Sequence, residues 1–515
     1  MKKVISLLCV LLLLGSSLAV ADAASILASP TTIQHSDTVI PGETYSGTAY
    51  YISAGEGDDN NDGLSPETAV ASVCMIYNLN LQPGDAVFFK RGDIWRLIPG
   101  GANPFISCAE GVTYSAYGEG EKPAFYGSPE NGAGAEKWTL YSEDDGKIWK
   151  YHRDMPDVGG IIASADGEEW TFTRAYGWWN GTGYDSVELN LNPDYRMDDF
   201  IIYGWEVLPA PGAALSNHEF KSEIDYTGCD YPIARYDLCK QGPLYLRCDE
   251  GNPGEIFTSL EFMTKELHEG EGGWFGMINC AENVVIDNLA VKYYADAAIR
   301  ADPSQNGIIV QNCEVAYGGN CIHAFIGPEP TREFMLTGDG IYGMAKNAVV
   351  QNNYVHDIDG AGITFETYPE IGDTDAGTYT AQGNLIERCG AGVQLNDGNG
   401  LLHFDEIRIL DNTILDTAGG WTHNCLSDVS SICIGGWGEV LAEKVHVAGN
   451  LLSGSRMYLL LLWNDDVQLS GNRYEADHAF LCIPPQGWRI IRDTNEMKRF
   501  VSERGEASPV VAVME

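Results

Sequence analysis

Short runs of apolar and β-branched residues recur through the second half of the chain: "VVIDNLAV", "IIVQNCEV", "VVQNNYV", "TAQGNLI", "IRILDNTIL", "VHVAGNLL" and "VQLSGNRY". They are too short for amphipathic helices and are rich in the residues that suit a pleated surface, so they predict strands. Each carries an Asn at the same place: Asn288, Asn312, Asn352, Asn384, Asn412, Asn450 and Asn472. The intervals run between about 22 and 40 residues, as in solenoid rungs joined by loops of unequal length. Asn is depleted in strands and favoured where the backbone turns through unusual angles. One Asn per rung therefore predicts a ladder, each buried amide bonding to the one above and the one below.

The segments that follow these turns align as well: "DAAIRAD", "GAGITFE" and "GAGVQLND". Strand alternation sends residues two apart to the same face. Ile299, Ala301, Ile363, Phe365, Val393 and Leu395 then point inward, while Arg300, Asp302, Thr364, Glu366, Gln394 and Asn396 point outward, with Asp397 beside them. Rungs stack about 4.8 Å apart, so outward groups on neighbouring rungs fall within the separations used by paired carboxylates. His323 and Tyr342 are expected on the same outer strip, with Asp339 nearby and Trp421, His423 and Trp437 flanking it. Glu366 is the expected member of a catalytic pair, its partner being Asp397 or Asp339. Arg300, Asp302, His323, Tyr342, Gln394, Asn396, Trp421, His423 and Trp437 are the expected substrate contacts. The competing reading is a solvated outer face, since any exposed strand carries outward polar residues. His356-Asp357 follows the ladder turn on the third strand of its rung, away from this strip, and reads as structural.

Outside the repeat the pattern changes. Residues 1–23 carry Lys2 and Lys3, an apolar run and a small-residue site at Ala21-Asp22-Ala23, the signature of a cleaved export signal. Residues 24–127 are expected to form an N-terminal cap and the first rungs: Ser65 can cap a short helix begun by Pro66, and "LQPGDAVFFKRGDIWR" reads as a β-hairpin. Residues 128–271 lose the ladder pattern and become rich in Trp, Tyr, Pro and Gly, an irregular β insertion. The helix 272–482 follows, and 483–515 closes it, with "DTNEMKRFVSERGE" predicting a charged helix from about Thr494 to Glu503. The whole is an all-β reading: a parallel β-helix with an N-terminal cap and an insertion.

This pattern resembles the right-handed parallel β-helix of the pectate-lyase-like superfamily, over about residues 272–482. A second resemblance lies in "YYISAGEGDDNNDGLSPETAVASV" followed by "LQPGDAVFFKRGDIWR", which is similar to the start of secreted bacterial carbohydrate-active β-helix proteins, including glycoside hydrolases such as family 141. The resemblance implies that the outer strip lines a saccharide cleft. The chain departs from that pattern: Gly340-Ile341-Tyr342 stands where Gly-Ile-Glu is common, Phe365-Glu366 where His-Gln is common, and "WTHNC" from Trp421 to Cys425 keeps only the Trp and His of a "WSH" motif. Either the carboxylates have been redistributed, or the activity has been lost or changed.

Charge and cysteine usage narrow the partners. With 73 acidic against 31 basic residues and a formal charge of −42, the chain repels nucleic acid and anionic membrane surfaces. No later segment approaches the roughly 20 apolar residues that span a bilayer, so an exported monomer acting on a polysaccharide or oligosaccharide is expected. Cys280, Cys313, Cys321 and Cys389 read as stacked buried thiols, with Cys229/Cys239 and Cys425/Cys433 the alternatives for disulfides. No cofactor is required. Asp58, Asn60 and Asp62 occupy the first ligand places of a calcium loop, but the twelfth is Ala69. The leading activity is glycoside hydrolysis by a carboxylate pair. The alternatives are a calcium-dependent polysaccharide lyase, which must neutralise a uronate with calcium or clustered bases, and a non-catalytic carbohydrate-binding β-helix.

Overall fold

Three columns of short parallel strands account for the repeat. The computed structural model describes residues 45–98, 101–143, 146–174, 177–179, 184–186, 205–206, 219–222, 241–264, 276–302, 304–319, 321–326, 333–343, 345–367, 375–397, 403–418, 430–435, 440–463, 466–483 and 489–514. All belong to the unit Val39–Glu515; the export signal expected over 1–23 lies outside them. The entry face, before each ladder turn, runs from Ala49–Ile52 through Ala86–Lys90, Thr113–Tyr117, Val285–Asp287, Ile309–Gln311 and Val349–Gln351 to Gln468–Ser470. The exit face, just after the turn, includes Ala290–Tyr294, Glu314–Gly318 and the first half of Tyr354–Thr367. The strip face includes Gly276–Asn279, Ala297–Ala301, Asp339–Gly343, Ala361–Thr367, Ala391–Asp397, Ser430–Ile434, Tyr458–Leu462 and Ala479–Ile483. Inward residues of all three faces form one core, from Ile52 to Val511.

The turn holds two columns where the sequence reading saw one. The first is left-handed backbone: Asn288, Asn312, Asn352 and Asp411 at φ 53–59°, with Gly383, Gly449 and Gly471 in the same place on other rungs. The residue after it is the true ladder position, occupied by Leu289, Cys313, Asn353, Asn384, Asn412, Asn450 and Asn472. Asn353 donates from Nδ2 to Asn384 Oδ1 at 3.0 Å, Asn384 to Asn412 at 2.9 Å, Asn412 to Asn450 at 3.0 Å and Asn450 to Asn472 at 2.9 Å. Glu506 closes the stack by accepting the Asn472 backbone N–H at 2.9 Å. Asn288, Asn312 and Asn352 are thus not ladder members. Asn serves both columns because its short amide tolerates left-handed φ and also satisfies buried backbone groups, which is why alignment on Asn merged them.

At the N-terminus, Ser65 caps the 3-10 turn Pro66–Thr68, with Thr68 bonding back to the Ser65 amide. The expected hairpin is not formed. Ala86–Lys90 pairs in parallel with Ala49–Ile52 and Thr113–Tyr117, and Ile94–Arg96 pairs with Ala124–Tyr126, so the two segments lie on different faces of the first rungs. Within 128–271 the described residues form regular antiparallel pairs, such as Val158–Ala165 with Ser259–Thr264, around their own core of Trp138, Tyr151, Phe172, Phe220, Leu246 and Phe262. This sheet meets the coil where Thr264 pairs with Tyr294. At the C-terminus, Thr494–Glu503 is helical, capped by Asp493 and buried through Met497, Phe500 and Val501. No helix among the described residues is long and apolar enough to cross a membrane.

Candidate functional site

Register brings most of the expected strip together. Asn279, Arg300, Tyr342, Thr364 and Gln394 are in-register neighbours on five successive rungs. One residue further toward the core side lie Ala301, Phe365 and Leu395, and beyond them Glu366 pairs with Asn396. Ile299, Ile363, Phe365, Val393 and Leu395 are all in the core, so the outward row is the polar one, as alternation requires.

That row is not a solvated surface. Tyr342 is 4% exposed, Thr364 1%, Gln394 7% and Asn396 1%. Buried polar groups are nearly always hydrogen-bonded, yet the Thr364 hydroxyl finds no partner among the described residues. At one end of the strip, Arg300 donates to Asp302 at 3.1 Å, the Asp302 side chain remaining half exposed. Gln305 fixes this corner, accepting from the Asp302 amide at 2.9 Å and donating to the Cys280 carbonyl at 2.6 Å. The strip changes character along its length: after Gln394 the same row continues as Cys433, Leu461 and Cys482, which pack with Tyr458, Met457 and Trp463 as an apolar cluster.

Two expected residues are placed differently. Asp339 opens its strand opposite Ala297, at the inward-facing parity of Ile341, and its Oδ1 accepts the Ala361 backbone N–H at 2.8 Å. It sits at a corner of the coil, well upstream of the Glu366 row, and the loop does not return it to the strip. His323 belongs to Cys321–Ile326, which pairs antiparallel with Glu333–Thr337 and, through it, with Trp205–Glu206. This chain segment leaves the parallel coil to form a hairpin, so His323 is not on a strip rung. Asp397 pairs with Thr367, one rung from Glu366 and one residue further along the strand, as the alignment of the two segments has it; its side chain lies outside the described set. Trp421, His423 and Trp437 also lie outside the described residues, as do Cys229, Cys239 and Cys425. Cys280, Cys313, Cys321, Cys389 and Cys433 are buried free thiols.

The acidic loop near the N-terminus uses its carboxylates internally. Asp58 accepts from the Asn60 amide at 2.9 Å and its side chain at 2.7 Å, and Asp62 accepts from the Leu64 amide and the Thr68 hydroxyl. Among the described residues no group of three or more His, Cys, Asp or Glu gathers as a metal site.

The structure adds two features: the partners of His356-Asp357, which the sequence reads as structural, and an aromatic residue that the sequence does not single out. On the exit face, His356 bonds to Asp357 (2.6 Å) and Glu314 (3.4 Å), Arg388 grips Asp357 through two bonds of 2.7 and 2.8 Å, and Lys292 pairs with Glu314 at 2.5 Å. Burial opposes charge on His356, but the two carboxylates outweigh it and raise its pKa; Glu314, despite burial, is held at about 2 by His356 and Lys292. The other is Trp463. Gly435 continues the Glu366–Asn396 row, donating to the Leu395 carbonyl, and Trp463 continues it again, donating to the Ile434 carbonyl, both at 2.9 Å. The run "LLLLWNDD" hid this, because both faces of that strand are apolar.

The family model for a right handed beta helix region matches residues 275–474. No curated protein matches the chain. Similar solved structures include the complex of XylC with xylose, 12% identical over 90% of this chain and 83% of that one, with a TM-score of 0.38. A lacto-N-biosidase of glycoside hydrolase family 136 from Eubacterium ramulus is 12% identical over 91% of this chain and 68% of its own, at a TM-score of 0.32. A rhamnogalacturonan lyase is 11% identical over 84% and 77%, at a TM-score of 0.36. The chain carries a right-handed parallel β-helix, and the chemistry of its outer strip has to be argued from the strip's own residues.

Proposed function

We propose that this is an exported glycoside hydrolase whose saccharide lies on the strip face, with Glu366 as general acid. The observation that carries the reading is the buried polar row itself. Tyr342, Thr364, Gln394 and Asn396 are withdrawn from water on the outside of the coil, and the Thr364 hydroxyl has no partner among the described residues. A sugar hydroxyl is a ligand that can donate to and accept from such groups.

Among the described residues the second carboxylate on this outer row is Asp302. It lies two rungs from Glu366, roughly 10 Å, near the wider spacing of about 6.5–9.5 Å that leaves room for a water in inverting enzymes. Arg300 orients Asp302 through a 3.1 Å ion pair, which suits the base that activates that water. Asp397 is the competing choice, one rung and one residue from Glu366. The lyase reading is the weaker one, because it needs cationic groups for a uronate and the strip's Arg300 is engaged by Asp302.

The test is product analysis on neutral and uronic polysaccharides, with and without chelator. Hydrolysis gives new reducing ends that persist with chelator and carry no unsaturation; ultraviolet-absorbing unsaturated ends would establish a lyase. Asp302→Asn and Asp397→Asn, assayed side by side, decide which carboxylate partners Glu366.

A further inference from the structure

We infer that Trp463 is a sugar-stacking platform at the far end of the strip, and that the site therefore takes an extended oligosaccharide lying along the solenoid axis rather than a single terminal sugar. The inference rests on the saccharide reading above and adds the length and direction of the ligand.

The row beyond the core residues Phe365, Leu395, Ile434 and Leu462 reads Glu366, Asn396, Gly435, Trp463 on four successive rungs. Gly435 has φ 87°, a conformation other residues rarely adopt, so the row holds no side chain between the Asn396 amide and the indole. The gap makes a floor between a hydrogen-bonding rung and an aromatic one. Trp463 is half-buried and packs against the cluster of Cys433, Tyr458, Leu461, Ala479 and Cys482. Its Nε1–H is buried and has no acceptor among the described residues, although a buried indole N–H ordinarily finds one. Two of the buried strip-face groups without a partner among the described residues, the Thr364 hydroxyl and the Trp463 N–H, thus stand on opposite sides of Asn396. Three rungs separate Glu366 from Trp463, about 14 Å, which exceeds one sugar ring. A ligand that touches both must be a chain of about three or more units. An aromatic face offers flat, rigid apolar area that matches the C–H face of a pyranose at little entropic cost.

The experiment is binding of neutral and uronic oligosaccharides of two to six units to the whole mature chain, measured by calorimetry and by tryptophan fluorescence. The affinity of wild type for the six-unit member of the best series should exceed that for its two-unit member by at least about tenfold. In Trp463→Ala that ratio should collapse toward one, and Trp463→Phe, which keeps the stack and the packing but loses the N–H, should restore part of it. Circular dichroism and melting of both variants separate loss of the platform from loss of the fold. A ratio unchanged in a folded Trp463→Ala, or no length dependence in wild type, overturns the platform while leaving the saccharide reading intact. Failure of every oligosaccharide to bind wild type overturns both.

Discussion

The exit face and the strip face are adjacent sides of one coil, built from the same rungs, and they differ in what they bury: bonded charges on one, amides and hydroxyls on the other. On the exit face each charge is answered by the protein. Lys292, Glu314, His356, Asp357 and Arg388 form one chain of bonds, and the Tyr354 hydroxyl donates to Glu387 at 2.9 Å. Tyr293 and Tyr317 stack at 5.3 Å, and Tyr317 bonds to Glu169 of the inserted sheet, tying that sheet to the coil. On the strip face, amides and hydroxyls are equally buried, but Thr364 Oγ1 and Trp463 Nε1 have no partner among the described residues. An unsatisfied buried group costs about 1–3 kcal/mol; the Tyr294 hydroxyl of the exit face carries that cost as well, so the contrast between the faces lies in the bonded charges of the one and the amide row of the other. The ion cluster with more charges is the structural one, and the quieter row of amides is where chemistry is expected.

Substitutions on the two faces should therefore separate activity from stability. Between the two faces the largest effect is expected from Asp302→Asn, which removes the proposed base and its Arg300 pair: turnover on the true substrate should fall by about 100-fold, with the melting transition nearly unmoved, and steady-state kinetics beside a thermal melt check both. Asp357→Asn should do the reverse. It takes a charge from between Arg388 and His356 and should cost about 2–3 kcal/mol in denaturant unfolding while turnover stays at the wild-type level. Equal turnover losses in the two variants would erase the distinction between the faces.

A smaller effect separates the two columns of the ladder turn. Asn353→Leu should destabilise by about 1–3 kcal/mol, because the neighbouring buried amides lose a partner. Asn352→Gly should change stability by less than about 0.5 kcal/mol, since glycine already holds the left-handed place at Gly383, Gly449 and Gly471. Parallel urea titrations of the two variants would show whether the stack runs through Asn353.

The smallest effect is the pH dependence of the exit face. His356 has a pKa raised above 6.5, so its contribution is present in full below 6.5 and is lost as pH rises through its folded value. Glu314, lowered from 4.5 to about 2, contributes above 4.5 and loses that contribution as pH falls toward 2. The cluster is strongest between 4.5 and 6.5. The stability difference between wild type and His356→Gln should shrink above that window, and a difference that grows with pH would reverse the sign assigned here.

The coil and the register of the strip were legible because a half-buried strand must alternate: Ile299, Ile363 and Val393 inside determine Arg300, Thr364 and Gln394 outside. The split of the Asn column was not, since one residue type suits both a left-handed turn and a buried ladder. Asp339 misled because a carboxylate beside Gly-rich sequence looks free, whereas a corner of the coil needs an acceptor for the Ala361 amide. His323 misled because a local apolar pattern cannot say whether the next strand joins the rung or folds back as a hairpin. Trp463 was hidden where Leu459 to Leu462 make both faces apolar and the period-two signal vanishes.

The claim that the strip face is a hydrolytic saccharide site is tested most directly by the turnover of Glu366→Gln on the polysaccharide that the wild-type chain cleaves. The substitution keeps size and hydrogen bonding and removes the transferable proton. Turnover should fall by about 100-fold or more, with the fold and oligosaccharide binding retained. A folded Glu366→Gln protein that releases reducing ends at the wild-type rate would contradict it.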